Sequence, residues 1–180
     1  MPQPTEPVRL VQVGAGAMGR AWLRLIGRST DVRLVGMADL DLDTARRSAA
    51  DAGFADVAVA TTLEALLDRV EADAVVNVTI PEAHAEVSTV ALLGGLAVLC
   101  EKPLADTLPA ALSMIAAAEA GGRLLMVSQS RRYWRNVETL RGQIARLGQL
   151  GLVTCPRPDR QRAGVDLLRV VQPRLELVRW

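Results

Sequence analysis

The chain has 180 residues, 50% of them hydrophobic, with 21 basic and 20 acidic side chains, which suits about one packed domain of roughly 100 to 200 residues. Because the charges nearly cancel, no whole-molecule field favours nucleic acid or an anionic membrane, and a small-molecule partner is expected. Residues 1–7 read as a flexible N-terminus without an apolar leader, and the longest near-apolar run, Val90 to Cys100, falls short of the roughly 20 residues that span a bilayer, so a cytoplasmic protein is expected.

Val8 to Val13 alternates apolar and polar residues and meets Gly14 at once, which predicts a strand running into a tight turn. The following helix carries Met18, Trp22, Leu25 and Ile26 on one face and Arg20, Arg24 and Arg28 on a solvated one, and should end at Ser29-Thr30-Asp31. A second strand is expected over Val32 to Ala38, then a helix whose N-terminus is capped by Asp41 and Asp43. Val57 to Ala60 reads as a third strand, and Thr61-Thr62-Leu63-Glu64 as a capping box opening a helix to about Val70.

The fourth strand is Ala74 to Val78, followed by a helix from Pro81 to Gly94-Gly95. A fifth strand over Leu96 to Cys100, a helix from Leu108 to Gly121-Gly122 and a sixth strand over Leu124 to Val127 continue the alternation. Near-continuous apolar strands joined through helices imply an α/β doubly wound parallel sheet, a Rossmann fold over residues 8–130. Residues 131–154 read as a connecting helix, Trp134 to Leu147, and the start of a further strand, Leu150 to Thr154.

Gly14-Ala15-Gly16-Ala17-Met18-Gly19 is G-x-G-x-x-G between a strand and a helix, the context in which glycines let the backbone approach a pyrophosphate at a helix N-terminus. Asp39 closes the second strand twenty residues after Gly19, where an acid accepts hydrogen bonds from the adenosine ribose. Its charge would repel a 2′-phosphate, and Leu40 supplies no cation, so NAD is expected rather than NADP. In a parallel sheet the strand carboxyl ends share one edge, which gathers Gly14, Asp39, Thr79-Ile80-Pro81, Glu101-Lys102-Pro103 and Gln129.

Lys102 is the one lysine beside twenty arginines, and His84 the one histidine. A lysine can share in proton transfer to an alcohol oxygen, whereas arginine stays protonated. For Lys102 the plainer alternatives are a helix-capping role or a pair with Glu101. Cys100 and Cys155 have no metal-like or Cys-x-x-Cys spacing and read as reduced structural thiols; no metal site is expected.

The loop ending in Met18-Gly19, Thr79-Ile80-Pro81 with His84 three residues on, Cys100-Glu101-Lys102-Pro103-Leu104-Ala105, and Gln129 followed by Arg131-Arg132-Tyr133 resemble the Gfo/Idh/MocA oxidoreductases from about Val8 to Thr154. That resemblance implies hydride transfer between a nicotinamide ring and a carbon of a sugar, inositol or related polyol, with Lys102 facing the reacting hydroxyl. Residues 14–19, Asp39, Thr79, Ile80, Pro81, His84, Glu101, Lys102 and Gln129 are the expected cofactor contacts. Glu101 either orients the lysine or bonds nearby backbone, and His84 either approaches the cofactor or makes a helix-start hydrogen bond. Arg131, Arg132, Tyr133 and Trp134 are expected to line the cleft or meet a second domain.

In the resembling family a second α/β domain closes the substrate site and adds an Asp and a His, yet no His follows His84. Residues 155–180 form an atypical tail with three Pro, six Arg and three acids, which suggests a truncated product with a reading frame shifted after Thr154. Such a product is expected to be an oxidoreductase completed by a second copy or another chain, and the alternatives are a non-catalytic dinucleotide-binding module or an inactive fragment.

Overall fold

The computed structural model describes residues 6–147, which fall into two compact units divided between Gln129 and Ser130. The predicted strand over Leu150 to Thr154, the tail 155–180 with Cys155, and residues 1–5 of the N-terminal segment lie outside the described residues.

The first unit alternates β1 (Val8–Val13), α1 (Ala17–Ile26), β2 (Val32–Ala38), α2 (Leu42–Asp51), β3 (Ala58–Ala60), α3 (Leu63–Leu67), β4 (Ala74–Asn77), α4 (Pro81–Leu93), β5 (Ala97–Glu101), α5 (Leu108–Gly121) and β6 (Leu125–Ser128). All strand pairings are parallel, in the order β3-β2-β1-β4-β5-β6. The sheet is therefore the doubly wound Rossmann type, with its switch point between β1 and β4.

The strands are mainly apolar, and helices pack against both faces of the sheet. Val11, Val75, Val98 and Cys100 pack against Leu66, Leu92 and Met114 of α3, α4 and α5. Leu10, Leu34, Met37 and Val76 pack against Leu23, Ile26, Ala45 and Ala49 of α1 and α2. Two-sided packing leaves Gln12 of β1 fully buried despite its polar side chain.

Two helix ends differ from expectation. α1 stops at Ile26 with Gly27 as its C-cap rather than at Ser29-Thr30-Asp31, and Gly27 sits where a Cβ would meet the Phe54 ring at 3.5 Å. The α3 N-cap is Thr62, whose hydroxyl accepts from the Ala65 amide at 3.2 Å. Glu64 is then one position too early for a capping box, and the helix ends at Leu67, since burial of Leu63 and Leu66 sets its phase. Asp41 caps α2 as expected, accepting from the amides of Asp43 and Thr44, and the Thr44 hydroxyl and amide hold its carboxyl below the usual range.

The second unit, by itself, opens with a 3-10 turn over Ser130–Tyr133, so α6 (Arg135–Leu147) begins after Trp134. The Arg131 guanidinium lies 5.6 Å above the Trp134 ring. No helix among the described residues is long and apolar enough to cross a membrane.

Candidate functional site

At the switch point α1 and α4 leave toward opposite faces of the sheet, which opens a crevice beyond the carboxyl ends of β1 and β4. The crevice holds a cavity of about 570 Å3 lined by Gly14, Gly16, Ala17, Met18, Asp39 and Leu40 on one side and by Thr62, Thr79, Ile80 and Ala83 on the other.

The three glycines of the turn have separate reasons. Gly14 has φ +109°, and a Cβ there would lie 2.6 Å from the Val78 carbonyl oxygen, so β1 and β4 approach closely. At Gly19 a Cβ would lie 2.2 Å from the Gly14 oxygen, which brings α1 down onto its own loop. A Cβ at Gly16 would meet nothing within 4 Å. Packing therefore demands the first and last glycine, while the middle one keeps space open in the crevice. Gly16 is also the N-cap of α1, without a side-chain cap and with no acid in the first turn. The first helical amides and the positive end of the helix dipole are left for an anion.

Buried and half-buried polar groups hold this loop. Gln12 Nε2 donates to the carbonyls of Gly14 at 2.9 Å and Gly19 at 3.1 Å, clamping both ends of the turn. Asp39 Oδ2 accepts from the Ala15 amide at 2.7 Å and Oδ1 from the Asp41 amide at 2.9 Å. The Ser48 hydroxyl donates to the Ala15 carbonyl at 3.2 Å, which ties the loop to α2.

The edge beyond β4 and β5 is cross-linked in the same way. Buried Asn77 donates to the His84 carbonyl and the Ser88 hydroxyl, and its Oδ1 accepts from Thr79 Oγ1 at 2.7 Å. His84 is 1% exposed; its Nδ1 is 2.8 Å from the Pro103 carbonyl oxygen and its Nε2 is 3.2 Å from that of Thr79. A neutral ring donates to one of these carbonyls and an imidazolium to both. His84 thus acts as a strut between the loops after β4 and β5.

Lys102 is exposed and joined to Pro103 by a cis peptide bond. Its ammonium has neither a hydrogen bond nor an ion pair among the described residues. The Glu101 carboxylate accepts from the Lys102 amide through Oε2 at 3.0 Å and from the Trp22 indole through Oε1 at 3.0 Å. Just before it, burial pushes the Cys100 thiol up to about 11.

Of the expected contacts, Gly14, Gly16, Ala17, Met18, Asp39, Thr79 and Ile80 share the cavity wall. Ala15 and Gly19 lie buried behind it, and Pro81 begins α4. Glu101 and Lys102 stand one strand along the edge, and Gln129 follows β6, a further strand out. Sequence reasoning missed Gln12, Asn77 and Trp22. The available signals were a polar residue inside each of two strands later found buried, and one indole N–H in an otherwise aliphatic helix face. Among the described residues no group of three or more His, Cys, Asp or Glu is arranged to hold a metal.

Residues 8–129 match the oxidoreductase family with an NAD-binding Rossmann fold known as Gfo/Idh/MocA. The chain is 34% identical over 123 residues to inositol 2-dehydrogenase of Gluconacetobacter diazotrophicus, covering 67% of this chain and 36% of that protein. It is 30% identical over 167 residues to inositol 2-dehydrogenase of Rhizobium meliloti, covering 90% and 48% respectively. The WlbA dehydrogenase of Bordetella pertussis, solved with NADH and UDP-GlcNAcA, shares the fold with a TM-score of 0.74 at 22% identity, over 81% of this chain and 41% of that one. The chain therefore spans less than half the length of these relatives. Its glycine loop, acid-ended second strand and family match together make it a member of the Gfo/Idh/MocA oxidoreductases, carrying their NAD-binding Rossmann fold.

Proposed function

We propose that this chain is the NAD-binding part of a cytoplasmic dehydrogenase that oxidises a secondary alcohol of an inositol, sugar or related polyol. The observation that carries the reading is the Lys102 ammonium, exposed and unpaired among the described residues, on a loop bonded at Glu101 to α1 and at Pro103 to His84. NAD, when bound, supplies the hydride acceptor. The α1 amides and the space at Gly16 receive the pyrophosphate, and Asp39 receives the ribose. The charge of Asp39 beside this crevice, with Leu40 next to it, supports NAD over NADP, while Arg46 faces Asp43 at 3.6 Å and Arg47 donates to the Thr44 hydroxyl within α2. Lys102 hydrogen-bonds the substrate oxygen and shares in removal of its proton, while Glu101 fixes the backbone on which it stands. Inositol as a substrate is supported by the names of the relatives.

The test is NADH titration followed by turnover assays on inositols and sugars, with Lys102→Ala alongside. A fall of about 10²- to 10⁴-fold in turnover is expected, the range for loss of a general acid or base. Turnover untouched by the change would remove Lys102 from the chemistry. Saturable binding with no turnover would support a non-catalytic dinucleotide-binding module instead.

A further inference from the structure

Among the elements described, one side-chain contact crosses from the helix of the glycine loop to the loop that bears Lys102. Trp22 lies in the second turn of α1, which follows β1, while Glu101 closes β5. In the sheet β4 separates these two strands, so the indole reaches over a whole strand to donate its Nε1–H to Glu101 Oε1 at 3.0 Å. The other oxygen of the same carboxylate accepts from the Lys102 amide at 3.0 Å. We propose that Trp22 is a positioning residue that, through Glu101, couples the glycine-loop helix to the backbone of Lys102. The proposal rests on the reading of Lys102 given above.

Two observations and one comparison argue that the N–H matters and not only the ring. Glu101 is only partly exposed and has no ion pair among the described residues, so its charge is held by neutral N–H donors, of which Trp22 is one. The rest of the indole lines an apolar cavity of about 390 Å3 with Leu25, Leu99 and Met126. Beside that apolar wall a hydrogen bond to a carboxylate is stronger than it would be in water. Finally, a phenylalanine would keep the apolar contact at this position and would leave Oε1 without its donor. A shift of α1 as its N-terminus takes up an anion then passes through a rigid ring and one carboxylate to the lysine.

Because Lys102 is the one lysine of the chain, reductive methylation with ¹³C-formaldehyde gives one side-chain reporter, distinct from the N-terminal amine. The full chain, Trp22→Phe and Trp22→His are compared. Without cofactor, hydrogen exchange at the Lys102 amide should quicken about tenfold in Trp22→Phe and recover in Trp22→His, which retains a ring donor. At saturating NADH, the ¹³C shift of Lys102 seen in the parent chain should shrink at least to about half in Trp22→Phe. Exchange and shift both equal to those of the parent would overturn the proposal. If NADH moves no signal even in the parent, the cofactor reading fails, and the exchange comparison alone still decides whether Trp22 holds the loop. Should Trp22→Phe not fold, Glu101→Gln is read at the Trp22 indole N–H resonance. A clear upfield move supports the link and an unmoved resonance overturns it.

Discussion

The amide of Ala15 donates to Asp39 Oδ2 at 2.7 Å, so the carboxylate that ends β2 also holds the glycine loop that ends β1. Asp39 therefore shapes the loop and, in the function proposed above, also receives the ribose. Asp39→Ala removes both this bond and that to the Asp41 amide. It should lower stability by about 1 to 3 kcal/mol and weaken NADH binding by about 10- to 100-fold. Urea midpoints and fluorescence titration measure the two, and an unchanged affinity would take Asp39 out of the cofactor site.

Gly16 and Gly19 should separate ligand binding from folding. A side chain at Gly16 enters open space, so Gly16→Val is expected to cost less than about 1 kcal/mol of stability yet abolish NADH binding at any practical concentration. Gly19→Ala places a carbon 2.2 Å from the Gly14 oxygen and should destabilise by about 2 to 4 kcal/mol. Thermal melts with and without NADH check both, and tight NADH binding by Gly16→Val would refute the open-space argument.

Cys100 should be inert while the chain is folded. Burial, more than the nearby Glu101 charge, raises its thiol to about 11, against a lesser opposing bond from Ser88. At about pH 8 the thiolate is then scarce as well as inaccessible, and iodoacetamide should modify Cys100 only after denaturation. Peptide mass spectrometry distinguishes it from Cys155, and rapid labelling of native Cys100 would contradict the buried assignment.

Arg9 and Asp73 tie the amino end of β1 to the start of β4, with Nη2 to Oδ1 at 2.8 Å and the Arg9 amide to Oδ2 at 2.8 Å; Arg9 also bonds Glu71. The Arg9 guanidinium, with its amide, lowers the Asp73 carboxyl to about 2. A depressed folded value means the contribution is complete above the unfolded value, near about pH 4, and fades as pH falls toward 2. The pair is exposed, so solvent screening leaves it a small contribution. Asp73→Asn should flatten the acid limb of a stability curve slightly over that window, and an identical limb would show the pair to be without effect.

Much of the site was legible along the chain because its signals are local. Gly14, Gly16, Gly19 and Asp39 stand at fixed offsets from a strand end, and Lys102 is conspicuous as a lone lysine among arginines. Alternation of apolar strands with capped helices likewise implied parallel order, since parallel strands need long crossovers. Boundaries were less legible: the α3 cap moved by one residue because two buried leucines, not the threonine pair, set the helical phase.

Contacts between distant segments were not legible at all. Gln12 looks like an outward polar position until α1 and α2 cover that face of the sheet, and then its amide is the clamp on the glycine turn. His84 reads as a lone histidine near a helix start, and only the adjacency of β4 and β5 makes it a strut to Pro103. Trp22 and Glu101 are 79 residues apart. Spacing and residue type announced the nucleotide loop, because a turn and a helix end are built from neighbours in the chain. Which buried groups hold that loop, and which ring bonds the carboxylate beside the lysine, was settled by strand order, because folding alone sets the distances between remote residues.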